Sequence, residues 1–303
     1  MSRTMKSIAV SIIAAVFCLF GVAAFAVSYN TQSVNGATGL ITTPTANVGW
    51  QDRGACLWGL DLGYHALMNN NNGGAYGKGL GNVFKGTVSI LGRAEIGAAL
   101  DAQARKKPFN KNEWDGWIHG KFKIISDPKH SLAIGGNFQW IDMRNDYTEG
   151  WVGQLYLAYT FANTIFGMPV DTTFVIGKTL SLDRIHAGYR KRDRERQLYL
   201  KFDDEGDMYS RKGDIDFSVG FDFDLLPQYL KHYVHWITDF ANYSYSVDPM
   251  GAIPKYRACG NTGLRIVPTV KRKNVKWNID FLLTDFFDHN REWAIGTTFG
   301  FGF

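Results

Sequence analysis

A chain of 303 residues, 45% hydrophobic, 20% charged and 15% aromatic, has room for one large domain or two small ones. Its formal net charge is only +5, and its bases are interleaved with acids, which points away from nucleic acid as a partner. Gly stands at 33 residues against 8 Pro, and Phe, Tyr and Trp are prominent. That balance favours strands and turns over the Leu-, Ala- and Glu-rich helices of a soluble α/β enzyme.

The first segment has the three parts of a secretory signal peptide. Arg3 and Lys6 form a basic start, an apolar run follows from Ile8 to Val22, and Ala24-Phe25-Ala26 offers a small-residue cleavage site. Cleavage is expected after Ala26. The run is short for a membrane anchor. Cys18 does not make it a lipoprotein signal, because the bulky Phe17 precedes it. The mature chain then keeps Cys56 and Cys259, which are expected as free thiols near opposite rims.

After residue 53 the dominant pattern is period-2 alternation in segments of about ten residues. Trp58, Leu60, Leu62 and Tyr64 oppose Gly59, Asp61, Gly63 and His65. Ile118, Phe122 and Ile124 oppose His119, Lys121 and Lys123, and Ile134, Phe138 and Trp140 oppose Ala133, Asn137 and Gln139. Ile215, Phe217, Val219, Phe221 and Phe223 alternate with Asp214, Asp216, Ser218, Asp222 and Asp224. Val275, Trp277, Ile279 and Phe281 alternate with Lys276, Asn278 and Asp280. A strand sends successive side chains to opposite faces, whereas a helix would scatter both sets around its circumference.

A soluble sandwich can alternate in this way too. Three features favour a membrane barrel. The segments are long enough to cross a bilayer at a tilt. Glycines and charges share the polar faces, as expected of a wet lumen. Aromatics such as Trp58, Tyr64, Trp140, Trp151 and Trp293 sit toward segment ends, like interfacial girdles. The expected fold is therefore an all-β, antiparallel transmembrane β-barrel of 12–14 strands after the signal peptide. The divisions are 1–26 (signal), 27–53 (an extended entry segment) and 54–303 (barrel). The fourteen-strand path includes a hairpin over 183–190 and 196–203, and it falls to twelve if that charged stretch is a loop. The long polar stretches 68–79, 103–113, 203–213 and 246–258 all fall at one end, the expected extracellular side.

The chain closes on an alternating strand that ends in Phe303. A terminal aromatic on a final amphipathic strand resembles the C-terminal signal of bacterial outer-membrane proteins, which implies the barrel-assembly machinery as a partner and the outer membrane as the location. Separately, Thr38-Gly39-Leu40-Ile41-Thr42-Thr43-Pro44-Thr45-Ala46 resembles a stretch near the mature N-terminus of the YjbH-like, exopolysaccharide-biosynthesis outer-membrane barrels. That resemblance implies an envelope barrel tied to polysaccharide traffic, and it carries over no catalytic residue. By their own chemistry, the same residues suit an extended edge or turn ahead of the first strand.

No catalytic, cofactor or metal constellation emerges, and no enzyme activity is expected. Asp288-His289 with Glu292, and the acids Asp203, Asp204, Glu205 and Asp207, read as solvated loops without an EF-hand pattern. His232 and His235 are three apart, which on a strand sends them to opposite faces. The residues expected to line a pore are Arg93, Glu95, Asp101, His119, Lys121, Lys123, Asp214, Asp216, Asp222, Asp224, Lys276, Asp280 and Glu292. Opposed charges can set selectivity in a wide pore, or pair and fill a narrow one. The expectation is a passive, porin-like pore for small solutes, with membrane lipid around it and homo-oligomerisation left open. A non-conducting structural or assembly barrel linked to exopolysaccharide or envelope biogenesis is the alternative.

Overall fold

The computed structural model describes residues 30–50, 56–68, 79–105, 112–127, 129–143, 148–181, 215–241, 259–268, 274–284, 286 and 292–303. The signal region, the Asp203–Asp207 and Asp288-His289 stretches and the proposed 183–203 hairpin lie outside these residues.

Among the described residues, twelve strands follow one another in chain order: β1 (Trp58–Met68), β2 (Gly79–Ile90), β3 (Ala94–Arg105), β4 (Asn112–Ser126), β5 (His130–Met143), β6 (Thr148–Ile165), β7 (Met168–Ser181), β8 (Asp216–Asp224), β9 (Val234–Ala241), β10 (Cys259–Ile266), β11 (Val275–Thr284) and β12 (Glu292–Gly302). Each pairs with its sequence neighbours, and β12 pairs antiparallel with β1, so the sheet closes on itself. Closure leaves no edge strand to template aggregation, and every strand finds both its hydrogen-bonding neighbours. Because β7 pairs directly with β8, from Val170↔Phe223 to Gly177↔Asp216, no hairpin intervenes in the sheet between them. The twelve-strand alternative holds, and the fourteen-strand path is corrected.

The connections sort by length. β2–β3, β4–β5 and β6–β7 turn within two or three residues, at 91–93, 127–129 and 166–167, while β8–β9 turns through a single helical turn, α1 (Pro227–Leu230). The three longest connections, 69–78, 182–215 and 242–258, lie at the other end, while β10–β11 (267–274) joins the first. The barrel thus has a turn rim and a loop rim. Cys56 lies just before β1 at the turn rim and Cys259 opens β10 at the loop rim, as expected; Cys56 is a free thiol.

The alternation reads out as sidedness. Ile96, Ile118, Phe122, Ile134, Leu155, Ile176, Phe217 and Ile295 are exposed on the outer wall, while Glu95, His119, Lys121, Asp216, Lys276 and Asp280 are buried within. One irregularity has a local cause. The register slips between Lys123 and Ile125, and this bulge leaves both Ile124 and Ile125 outward and exposed. Ring pairs such as Trp277–Phe299 (5.4 Å between centroids) and Phe223–Trp236 (5.0 Å) join the outer wall across neighbouring strands.

Candidate functional site: a lumen filled by the chain's own residues 30–50

The segment expected as an extended lead-in lies inside the barrel, not ahead of it. Thr31 to Trp50 are all buried, and their partners come from β1, β2, β3, β4, β6, β9, β10 and β11. A stretch bonded to strands on every side of a closed sheet lies inside it. The segment folds on itself: Val34 N–H donates to Ile41 O (2.9 Å), Gly39 N–H to Thr31 O (2.9 Å) and Thr45 N–H to Thr38 O (3.1 Å). It forms no regular sheet with the wall, so many of its backbone groups need side-chain partners, since buried peptide groups left unpaired are costly.

The inward charges supply those partners. Lys276 Nζ donates to Asn30 O (2.9 Å) and Gly49 O (2.8 Å). Lys121 Nζ donates to Thr38 O and Thr45 O, both at 2.9 Å. Lys85 holds the carbonyls of Gln32 and Ser33, and the Arg265 guanidinium those of Gly39 and Leu40 (3.3 Å each). Acids take the amides. Asp239 Oδ2 accepts from Ile41, Thr42 and Thr43 N–H at 3.1, 2.7 and 2.9 Å, and Glu95 Oε1 accepts from Thr38 N–H at 2.9 Å.

The same side chains neutralise one another. Glu95 and Lys121 stand directly opposite on β3 and β4 with Nζ–Oε1 at 3.0 Å, and Arg265 and Asp280 likewise on β10 and β11 at 2.9 Å. Lys276 reaches Asp61 across β12 (2.7 Å), and His65 approaches Asp280 across it (3.5 Å). Both crossings pass over glycines: Gly300 pairs with Lys276 and Asp61, Gly296 with Asp280 and His65. A Cβ at Gly300 would strike Lys276 and Asp61, and one at Gly296 would strike the His65 ring. Charge-assisted bonds in a dry interior are strong, while a buried charge lacking its partner is costly.

Glycines also form sockets for the inner segment. The Trp50 ring occupies the space over Gly59, and Leu40 Cδ1 the space over Gly220. The abundance of glycine on the polar faces therefore reflects room for large side chains, not a wet lumen. Toward the loop rim the interior turns apolar. Val34, Leu40 and Ile41 of the segment pack with inward Leu67, Val83, Ala99, Trp117, Ile237, Leu282 and Ala294. Ala46 packs with Ala133, Tyr156, Ala158 and Val175. Close-packed apolar contact of this kind is a folded core, not a solvent channel.

Of the expected lining residues, Glu95, Asp101, His119, Lys121, Lys123, Asp216, Asp222, Asp224, Lys276 and Asp280 are buried on the inner face. Arg93 is corrected. It is exposed in the tight turn joining β2 to β3, where the alternation of the following strand has not begun. Asp214 and the Glu292 side chain lie outside the described residues. Glu95, Lys121, Lys276 and Asp280 join the pairs above, while Asp222 and Asp224 bond to His235 and His232 near the turn rim. The two histidines thus serve neighbouring acids separately, and no metal-binding group of three occurs among the described residues. The expected list missed Asp61, His65, Lys85, Asp239 and Arg265, all inward and buried. All but Asp239, which shares its face with Ile237, sit on the polar side of an alternating segment, so extending the alternation to every strand would have found them. Nothing local signals the inward Leu67, Val83, Ile237 and Leu282, which pack against the inner segment.

No family model matches the chain and no curated protein matches it, so the likeness of Thr38–Ala46 to YjbH-like barrels stands on that stretch alone. Among solved structures, the chain is similar to the KdgM porin in complex with disordered oligogalacturonate, at 8% identity and a TM-score of 0.46 over 80% of this chain and 99% of that one. It is similar to the NanC porin at 10% identity, with a TM-score of 0.43 over 81% and 100% of the two chains. Outer membrane phospholipase A from Escherichia coli matches at 11% identity, with a TM-score of 0.38 over 80% and 92%.

Proposed function

We propose that this protein is an outer-membrane barrel of porin-like build whose pore is shut by its own residues 30–50, so that small solutes pass only when that segment leaves. The apolar outer wall supports lipid as its surroundings, since such a surface exposed to water would drive aggregation. In that setting the turn rim faces the periplasm and the loop rim the exterior. The passive pore expected from the sequence gives way to a gated one. The observation that carries this reading is the set of four cations, Lys85, Lys121, Arg265 and Lys276, each holding two carbonyls of the inner segment. Charges spent on the segment are withdrawn from solutes.

Planar-bilayer conductance of the mature chain, compared with a variant lacking residues 30–50, tests it. The intact barrel should be nearly silent, and the deletion should conduct with a mixed-charge lining. A deletion variant that folds but stays silent overturns the gated pore. It would instead favour the second reading, a non-conducting structural or assembly barrel linked to exopolysaccharide or envelope biogenesis. That reading draws on the same occupied lumen and on the Thr38–Ala46 resemblance.

A further inference from the structure

The turn rim carries bulky apolar residues where the backbone disfavours them. Leu91 and Gly92 have φ of 52° and 60°, and Phe166 and Gly167 have φ of 51° and 77°. Tight hairpins with both central residues at positive φ ordinarily place Asn, Asp or Gly first, because a Cβ there crowds the backbone. Here Leu and Phe take that place. Leu226, which opens the turn into α1, also has a positive φ, of 45°. These side chains stay largely exposed and gain little from packing to offset the strain: Leu91 is 63% exposed, Phe166 95% and Leu226 56%. Three strained, exposed apolar tips at one rim point to a partner outside the chain.

The surroundings identify the partner's chemistry. The tips continue the apolar outer wall, through exposed Leu57, Trp58, Ile124, Ile125 and Phe303 at the same end. Exposed Arg93, Lys129 and Lys231 stand in the same turns or the adjoining ones. Apolar anchors with cations beside them match the boundary between acyl chains and anionic headgroups. We infer that Leu91, Phe166 and Leu226 anchor the turn rim in an anionic phospholipid leaflet, with Arg93, Lys129 and Lys231 meeting its headgroups. The inference rests on the membrane reading above.

The test uses the full mature chain with Cys56→Ser and Cys259→Ser. A single new cysteine at position 91, 166 or 226, or at outer-wall position 96, carries an environment-sensitive fluorophore. Each variant is folded into phosphatidylcholine vesicles with and without phosphatidylglycerol. Labels at the three tips should shift to the blue and be quenched by shallow nitroxide lipids, and the label at 96 by deep ones. Arg93→Gln/Lys129→Gln/Lys231→Gln should lose the gain in folding rate that phosphatidylglycerol confers. If the label at 96 is quenched while the tips stay water-like, the anchor is overturned and a soluble protein becomes the better partner. If no label is quenched, the membrane reading itself falls. The double variant Leu91→Asn/Phe166→Asn separates anchoring from tolerance. It relieves the strained backbone, so a lower urea midpoint in vesicles supports the anchor, and an unchanged or higher one overturns it.

Discussion

The Lys276 ammonium lies 2.7 Å from Asp61 Oδ2, across the intervening terminal strand, and the same nitrogen holds both ends of the inner segment through Asn30 O and Gly49 O. Trp50 completes the arrangement. Its indole N–H donates to Asp61 Oδ1 (3.0 Å), and Lys276 Nζ sits 4.9 Å from its ring centroid. Entry and exit of the segment are thus tied to one buried ion pair near the turn rim.

Lys276→Met should leave the Asp61 charge buried without its cation, which costs about 3–5 kcal/mol when one partner of such a pair is lost. Adding Asp61→Asn should recover much of that loss while the mouth of the segment stays untied. Urea unfolding in detergent measures both, and bilayer recordings should show openings in the double variant that the parent lacks.

Asp239 secures the apex of the segment, midway between those ends. Its carboxylate accepts three successive amides, and Asn261 Nδ2 donates to it in turn (2.6 Å). Asp239→Asn loses the charge behind these bonds, each worth about 1.5–3 kcal/mol in such settings. Amide exchange at Ile41, Thr42 and Thr43 should accelerate while exchange within the strands is unchanged. Equal protection in the variant would show that apolar packing of Leu40 and Ile41 holds the apex alone.

Gly220→Val should displace Leu40, because Leu40 Cδ1 occupies the place of the new Cβ. Leu40→Ala alone should destabilise by about 2–5 kcal/mol, as large-to-small changes in a core do. The double variant should be less harmed than the two losses together, since the smaller side chain frees the socket. Additive losses in urea unfolding would refute the socket.

Cys56 reports on the gate. Its sulfur lies beside Trp50 at Gly302, and the residue is half-buried. Trp50→Ala, or loss of residues 30–50, should speed alkylation of Cys56 by a water-soluble maleimide. An unchanged rate would place the cover elsewhere.

Phe303 closes the chain, with its side chain exposed and its backbone paired to Trp58 in both directions (2.8 and 3.2 Å). Deleting it removes little packing. If it acts as an assembly signal, outer-membrane yield in cells should fall while refolding into detergent is preserved.

The barrel was legible in the residues because its cause is local. A strand alternates its faces every residue, so Ile118 against His119, or Trp277 against Asn278, announces the two sides before any partner is known. The twelve-strand count needed the β7–β8 register, since a charged stretch of ambiguous length separates the two. What fills the interior was decided by tertiary structure alone. Alternation says that one face differs from the apolar outer one, but it does not say whether water or protein meets that face. Asp61 and Lys276 are 215 residues apart, and Asp239 meets Thr42 across 197. Only closure of the sheet brings those groups to one point, where four cations and two acids find a short backbone segment to hold.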